Sequence, residues 1–253
     1  MTARSRYRNS VTVTLGGLVV LAWALLWWLE QTPWGAVFHA HHGGPGAHAG
    51  HGMSGGLMAV FFVAGWVLMV IAMMLPATFP LVEVFRRLVR RRPDSGALLA
   101  LLVTGYLAVW TVFGVGVYGA GQALRLVELP VAGGVAAGAL FLVAGAFQFS
   151  QLKYRCLDQC RTPLAFVLAR WPGNGSRKAA AFRIGAEHGA FCVGCCWALM
   201  LLMFAVATAS LLWMMVLGIL MAVEKNLSWG RSLGRPLGGV LLVVGLWLLA
   251  VAG

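Results

Sequence analysis

Charge is scarce in this chain. Asp, Glu, Lys and Arg supply 10% of its 253 residues and only seven residues are acidic, against 60% hydrophobic residues and a mean hydropathy of +0.85. Soluble domains carry about 25% charged residues, so the shortage excludes the ordinary water-soluble class. No phosphate-cradling Gly-x4-Gly-Lys-Ser/Thr loop occurs, which argues against ATP-driven pumping by this chain alone. Nor does a small-residue cleavage pattern follow Trp27, Trp28, Leu29 and Glu30, so the first apolar run reads as a retained helix rather than a signal peptide. Cysteine is missing everywhere outside positions 156–196, and five occur inside that window.

Long apolar runs are what the chain has in abundance. Hydrocarbon roughly 30 Å thick takes about 17–25 helical residues to cross. Seven stretches approach that pattern: Val11–Leu29, Leu57–Leu75, Ala97–Gly119, Val131–Ser150, Ile184–Thr208, Leu211–Val223 and Pro236–Ala252. The expectation is an all-α, polytopic transmembrane bundle of about seven spans, multi-pass in a bacterial inner (cytoplasmic) membrane. The sixth run is short and no loop separates it from the fifth at Ala209 and Ser210, so the two read as a hairpin or as one broken helix. Residues 1–56 form the first helix plus an external loop, and residues 57–253 a six-helix core.

A net charge of +12 invites a nucleic-acid reading, but its distribution argues otherwise. With seven spans the basic residues cluster on alternate loops, at Arg4–Arg8, Arg86–Arg92, Lys153–Arg183 and Lys225–Arg235, leaving Arg125 alone on the other side. The positive-inside bias then places the N-terminus in the cytoplasm and the C-terminus outside it. The basic charge becomes a topology device facing the lipid bilayer, and no nucleic acid is expected.

Five of the six histidines, His39, His41, His42, His48 and His51, lie in one Gly-rich external loop. Such tracts gather metal without a fixed geometry; otherwise the loop is a flexible polar linker. The second run ends in Met73, Met74, Leu75, Pro76 and then Pro80, which marks a kink beside a cavity. Adjacent methionines cannot share a helix face, so at most one of them, with Met73 the candidate, addresses a site. The glycines of the third and fourth runs, Gly134 and Gly138 among them, suit close helix contact in lipid. Tyr106 is read as a packing or interfacial residue.

The chemistry concentrates in the cysteine window. Cys156 and Cys160, four apart, share a helix face, with Lys153, Arg155 and Arg161 around them to favour thiolate. Further on, His188, Cys192, Cys195 and Cys196 stand at i, i+4, i+7 and i+8, and Met200 and Met203 extend the same stripe. Glu187, about 100° round from His188, is a hydrogen-bond partner for a ligand or a proton acceptor. Glu224 beside Lys225 reads as an ordinary interfacial pair with the lysine turned to the headgroups, or else as an ion ligand or relay. Thiolate and imidazole suit soft or borderline transition metals, copper first, with zinc or iron as alternatives. Plain packing would explain one or two cysteines, not five in helical register beside a histidine.

At these residues the chain resembles an uncharacterised bacterial family described as predicted metal-binding integral membrane proteins. The shared segments are Met73–Pro76, Leu152–Pro163 (Leu-Lys-x2-Cys-Leu-x2-Cys-Arg-x-Pro), His188–Met200 (His-Gly-x2-Cys-x-Gly-Cys-Cys-Trp-x-Leu-Met) and the Glu224–Lys225 pair. The resemblance spans roughly residues 57–252 and implies metal binding on a multi-helix scaffold, without supplying a reaction. The leading expectation is therefore copper acquisition, transfer or delivery. Cys156, Cys160, His188, Cys192, Cys195 and Cys196 would meet around one ion near the cytoplasmic face, and a metalloprotein or metallochaperone would be the partner. A membrane thiol or metal-dependent oxidoreductase, and an anchor subunit for a metalloprotein, are the alternatives. An enzymatic role is the less favoured reading.

Overall fold

A computed structural model describes residues 3–32, 55–126, 133–171, 175–204 and 211–252. The histidine loop lies outside the described residues. Every regular element among those described is helical: α1 (Ala3–Glu30), α2 (Gly55–Met73), α3 (Phe79–Val89), α4 (Ser95–Leu126), α5 (Gly133–Phe147), α6 (Gln151–Arg161), α7 (Pro163–Arg170), α8 (Arg177–Leu201), α9 (Leu211–Asn226) and α10 (Gly230–Ala252). Short 3-10 turns at Pro76–Thr78 and Leu202–Phe204 follow α2 and α8.

The seven apolar runs correspond to α1, α2, α4, α5, α8, α9 and α10. Among the described residues five helical stretches are long and apolar enough to cross a membrane, and the α5–α6 pair, bent by 67°, makes up to six. Helix α9 has 16 residues, about 24 Å at 1.5 Å per residue, short of a full crossing. Large side chains at the periphery, including Val20, Trp27, Val112, Val243 and Trp247, stay exposed.

Local chemistry sets the breaks. Pro76 and Pro80 cannot supply backbone N–H groups, so α2 stops at Met73 and the chain winds through one 3-10 turn into α3. Ser150 caps α6 by accepting from the Leu152 amide at 3.1 Å, which lets the chain turn sharply after α5. Pro163 sits in the first turn of α7. Ser176 caps α8 through the Ala179 amide.

Close packing then holds α8 in the middle of the bundle. A Cβ on Gly185 would stand 1.9 Å from the Leu102 carbonyl oxygen, and one on Gly105 would stand 2.2 Å from that of Phe182, so α4 and α8 touch backbone to backbone. Gly138 likewise meets α10 at Leu249, and Gly134 meets it at Ala252. One core cluster gathers Trp66, Trp110, Met74 and the α8 cysteines. A second joins Phe85, Leu102, Phe166 and Ile184. Helix α3 is amphipathic, its apolar face buried at Leu81, Val82, Phe85 and Val89. Hydrogen bonds from Arg86, supported by Arg87, hold the Glu83 carboxyl on that helix down at about 2.

Candidate metal centre

Central placement of α8 buries its stripe. Cys192, Cys195, Cys196, Met200 and Met203 are all within a few per cent of complete burial. Cys195 and Cys196 donate back to the Cys192 carbonyl at 3.2 and 2.8 Å, the local bonding that lets thiols sit inside a helix bundle. The Cys192 sulfur lies 3.0 Å from the Tyr106 hydroxyl of α4 and 2.8 Å from Lys225 Nζ at the end of α9. The Cys196 sulfur faces the Met74 thioether at 3.8 Å, and Lys225 Nζ stands 3.6 Å from Met74 and 3.7 Å from Cys196.

The two cysteine segments do meet. Cys156 of α6 seats its sulfur in the notch at Gly194 of α8, 2.6 Å from where a Cβ would stand, and the Cys160 thiol lies near that of Cys195, close enough for each to bear on the other electrostatically. All five thiols are free.

Around this line of sulfurs the other candidates are committed to different partners. Glu224 accepts from buried Lys153 at 2.7 and 2.9 Å, and Lys153 also reaches Gln148. Arg161 bonds the Glu224 carbonyl and the Ser228 carbonyl. Glu187 pairs with Arg170 and Arg183, away from the sulfurs. His188 is buried between Phe166 and Tyr106, with ring centroids at 5.4 and 6.0 Å, and its Nδ1 has no partner. Met73 packs against Gly218 of α9, leaving Met74 as the thioether at the thiols.

Among the described residues no three His, Cys, Asp or Glu side chains are arranged to hold a metal ion. The expected ligands Cys156, Cys160, His188, Cys192, Cys195 and Cys196 share one part of the bundle but face different neighbours. Cys192 and Cys196, a turn apart on α8, face α9 and the end of α2, while Cys195, about 100° round from Cys196, lies toward α6. The donors that remain together, thiols and a thioether, are nevertheless the soft set. Sequence reasoning missed two members of this neighbourhood, Met74 and Lys225. The lysine was assigned to the headgroups, whereas it is 6% exposed with its ammonium among the sulfurs.

Buried thiols and a thioether within a bundle of apolar helices are a soft donor set. Residues 63–248, well over half of the chain, match the PpoB2 family, described as a copper chaperone, and the chain belongs to that family. No curated protein and no solved structure matches it. Copper handling is thus the class of function the family assigns, and the matched region contains every cysteine while leaving out α1 and the histidine loop.

Proposed function

We propose that the chain is an integral membrane copper chaperone that takes Cu(I) as cargo onto the buried thiols of α8 and α6. In this reading the bundle spans the bacterial inner membrane with its N-terminus in the cytoplasm, as the one-sided distribution of Lys and Arg suggests. The loop carrying His39, His41, His42, His48 and His51 gathers copper outside. Cys192, Cys195 and Cys196 hold it within the bundle, and Cys160 passes it toward the cytoplasmic face and a metalloprotein partner. His188 supplies a nitrogen donor during transfer, and Cys156, at Gly194, keeps α6 seated on α8.

The joint burial of Cys192, Cys195 and Cys196, with Cys196 facing the Met74 thioether at 3.8 Å, supports this reading most. Soft donors from two helices then share one interior neighbourhood, where an ion can change ligands without meeting hydrocarbon. Copper(I) competition with a soluble chelator tests it on the purified, detergent-embedded chain. Cys192→Ser, Cys195→Ser and Cys160→Ser are each expected to weaken retention by about tenfold or more, and Cys156→Ser to leave it near the wild-type value. Equal retention by all four variants would remove the thiols from the function.

A further inference from the structure

Lys225 is buried, and among the described residues no carboxylate reaches it, because its neighbour Glu224 is engaged by Lys153. Its ammonium is surrounded instead by three sulfurs: Cys192 at 2.8 Å, Met74 at 3.6 Å and Cys196 at 3.7 Å. An ammonium removed from water needs a compensating anion, and the Cys192 sulfur, which also meets the Tyr106 hydroxyl at 3.0 Å, is the group placed to provide it. The folded chain therefore seats a monovalent cation between two thiol sulfurs and a thioether. That donor set selects Cu(I) over harder ions.

We propose that Met74, Cys192 and Cys196 form a three-sulfur seat for Cu(I), with the Lys225 ammonium as its built-in counter-ion. This rests on the copper-chaperone reading above and adds to it a specific ligand set and its charge balance. Cu(I) bonded to two thiolates and one neutral thioether carries a single negative charge, which the ammonium cancels, so the loaded seat is neutral within the apolar bundle. On loading, two copper–thiolate bonds and one copper–thioether bond form. The Cys196 thiol proton leaves to water, and no electron is transferred. The ammonium swings off the centre on its flexible stem and stays beside the thiolates. Two thiolates without that ammonium would bury a net charge, which is costly in a low-dielectric interior.

Met74 is placed for this role at the end of α2. Its amide still donates to the Val70 carbonyl at 2.8 Å, so it completes the last helical turn, its side chain lies about 100° round from that of Met73, and it faces Cys196 of α8 just before the turn at Pro76.

X-ray absorption at the copper edge of the Cu(I)-loaded wild-type chain in detergent is the first test, and it depends on no variant folding. Three sulfur neighbours and no nitrogen or oxygen are expected; two sulfurs, or a sulfur–nitrogen set including His188, would overturn the proposal. Chelator competition supplies the second test. Met74→Leu keeps the shape and removes the sulfur, and should cut the sulfur count to two. Lys225→Leu should lower Cu(I) affinity by about 10–100-fold, the usual cost of losing an outer partner of a metal site, with Lys225→Arg recovering much of it. Unchanged or tighter binding by Lys225→Leu overturns the counter-ion role. Copper held by the wild type, lost on Cys195→Ser or Cys160→Ser but indifferent to Met74, Cys192 and Cys196, would sink this seat and leave the chaperone reading standing. No Cu(I) bound by the wild type would sink both.

Discussion

At the residue scale the account turns on which buried charges are paired with what. Lys153 is wholly buried and Glu224 is 2% exposed, and they pair at 2.7 Å. Removing one member of a buried pair leaves the other uncompensated, at a cost of about 3–5 kcal/mol, whereas replacing both by apolar groups is often neutral. Glu224→Gln is therefore expected to lower the thermal midpoint of the detergent-embedded chain clearly, and Lys153→Met with Glu224→Leu to recover most of the loss. An unchanged midpoint in Glu224→Gln would show that the pair does not hold α6 to α9. Helical spacing revealed part of this chemistry, since the Cys192, Cys195, Cys196 and Met200 stripe does face the core. It could not reveal Lys225, whose partners lie 33 and 151 residues away along the chain. Nor could it choose between Met73 and Met74, because they stand about 100° apart on one helical turn and the sequence does not say which direction holds α8.

At the element scale, glycine decides where helices meet. Gly185 and Gly105 bring α4 and α8 together so closely that a methyl at either would collide with backbone, which cannot give way as a side-chain tip can. Gly185→Ala is expected to destabilise by at least about 1–3 kcal/mol and to loosen the Tyr106–Cys192 contact carried on the same pair of helices. Gly116→Ala on α4, with nothing within 4 Å, is the control and should match or slightly exceed wild type in thermal unfolding. Helix α3 offers an electrostatic prediction. Because Glu83 is held at about 2 in the folded chain against an ordinary 4.5, its pairing with Arg86 and Arg87 supports α3 fully above the ordinary value and is lost as the pH falls toward 2. Carboxyl resonances followed by NMR across that window should report the low midpoint, and a normal midpoint would dissolve the pairing. Apolar runs and proline positions made these helices legible in the sequence. The 67° bend between α5 and α6 was not, since the fourth run continues unbroken through Phe149 into the Ser150 cap and shows no turn signal until that cap.

For the whole molecule the proposed membrane placement turns on the number of crossings. Among the described residues five helices are long and apolar enough, the bent pair makes up to six, and α9 at 16 residues would make a seventh. An odd number separates the termini and an even number puts them together. The one-sided basic clusters call for separation, so reporters fused to the two ends are expected to be active on opposite sides of the membrane. Activity on the same side would turn α9 and its Glu224–Lys225 end into a re-entrant element. Family membership covers residues 63–248 and with them every cysteine, and the proposed reading places copper retention on those core thiols. The most direct test of that claim is the copper content of the wild-type chain purified from membranes after growth with copper, beside a chain with Cys192, Cys195 and Cys196 all changed to Ser. Copper close to equimolar with the wild-type chain and almost none with the triple variant is the predicted result; equal copper in both, with the folds intact, would contradict it.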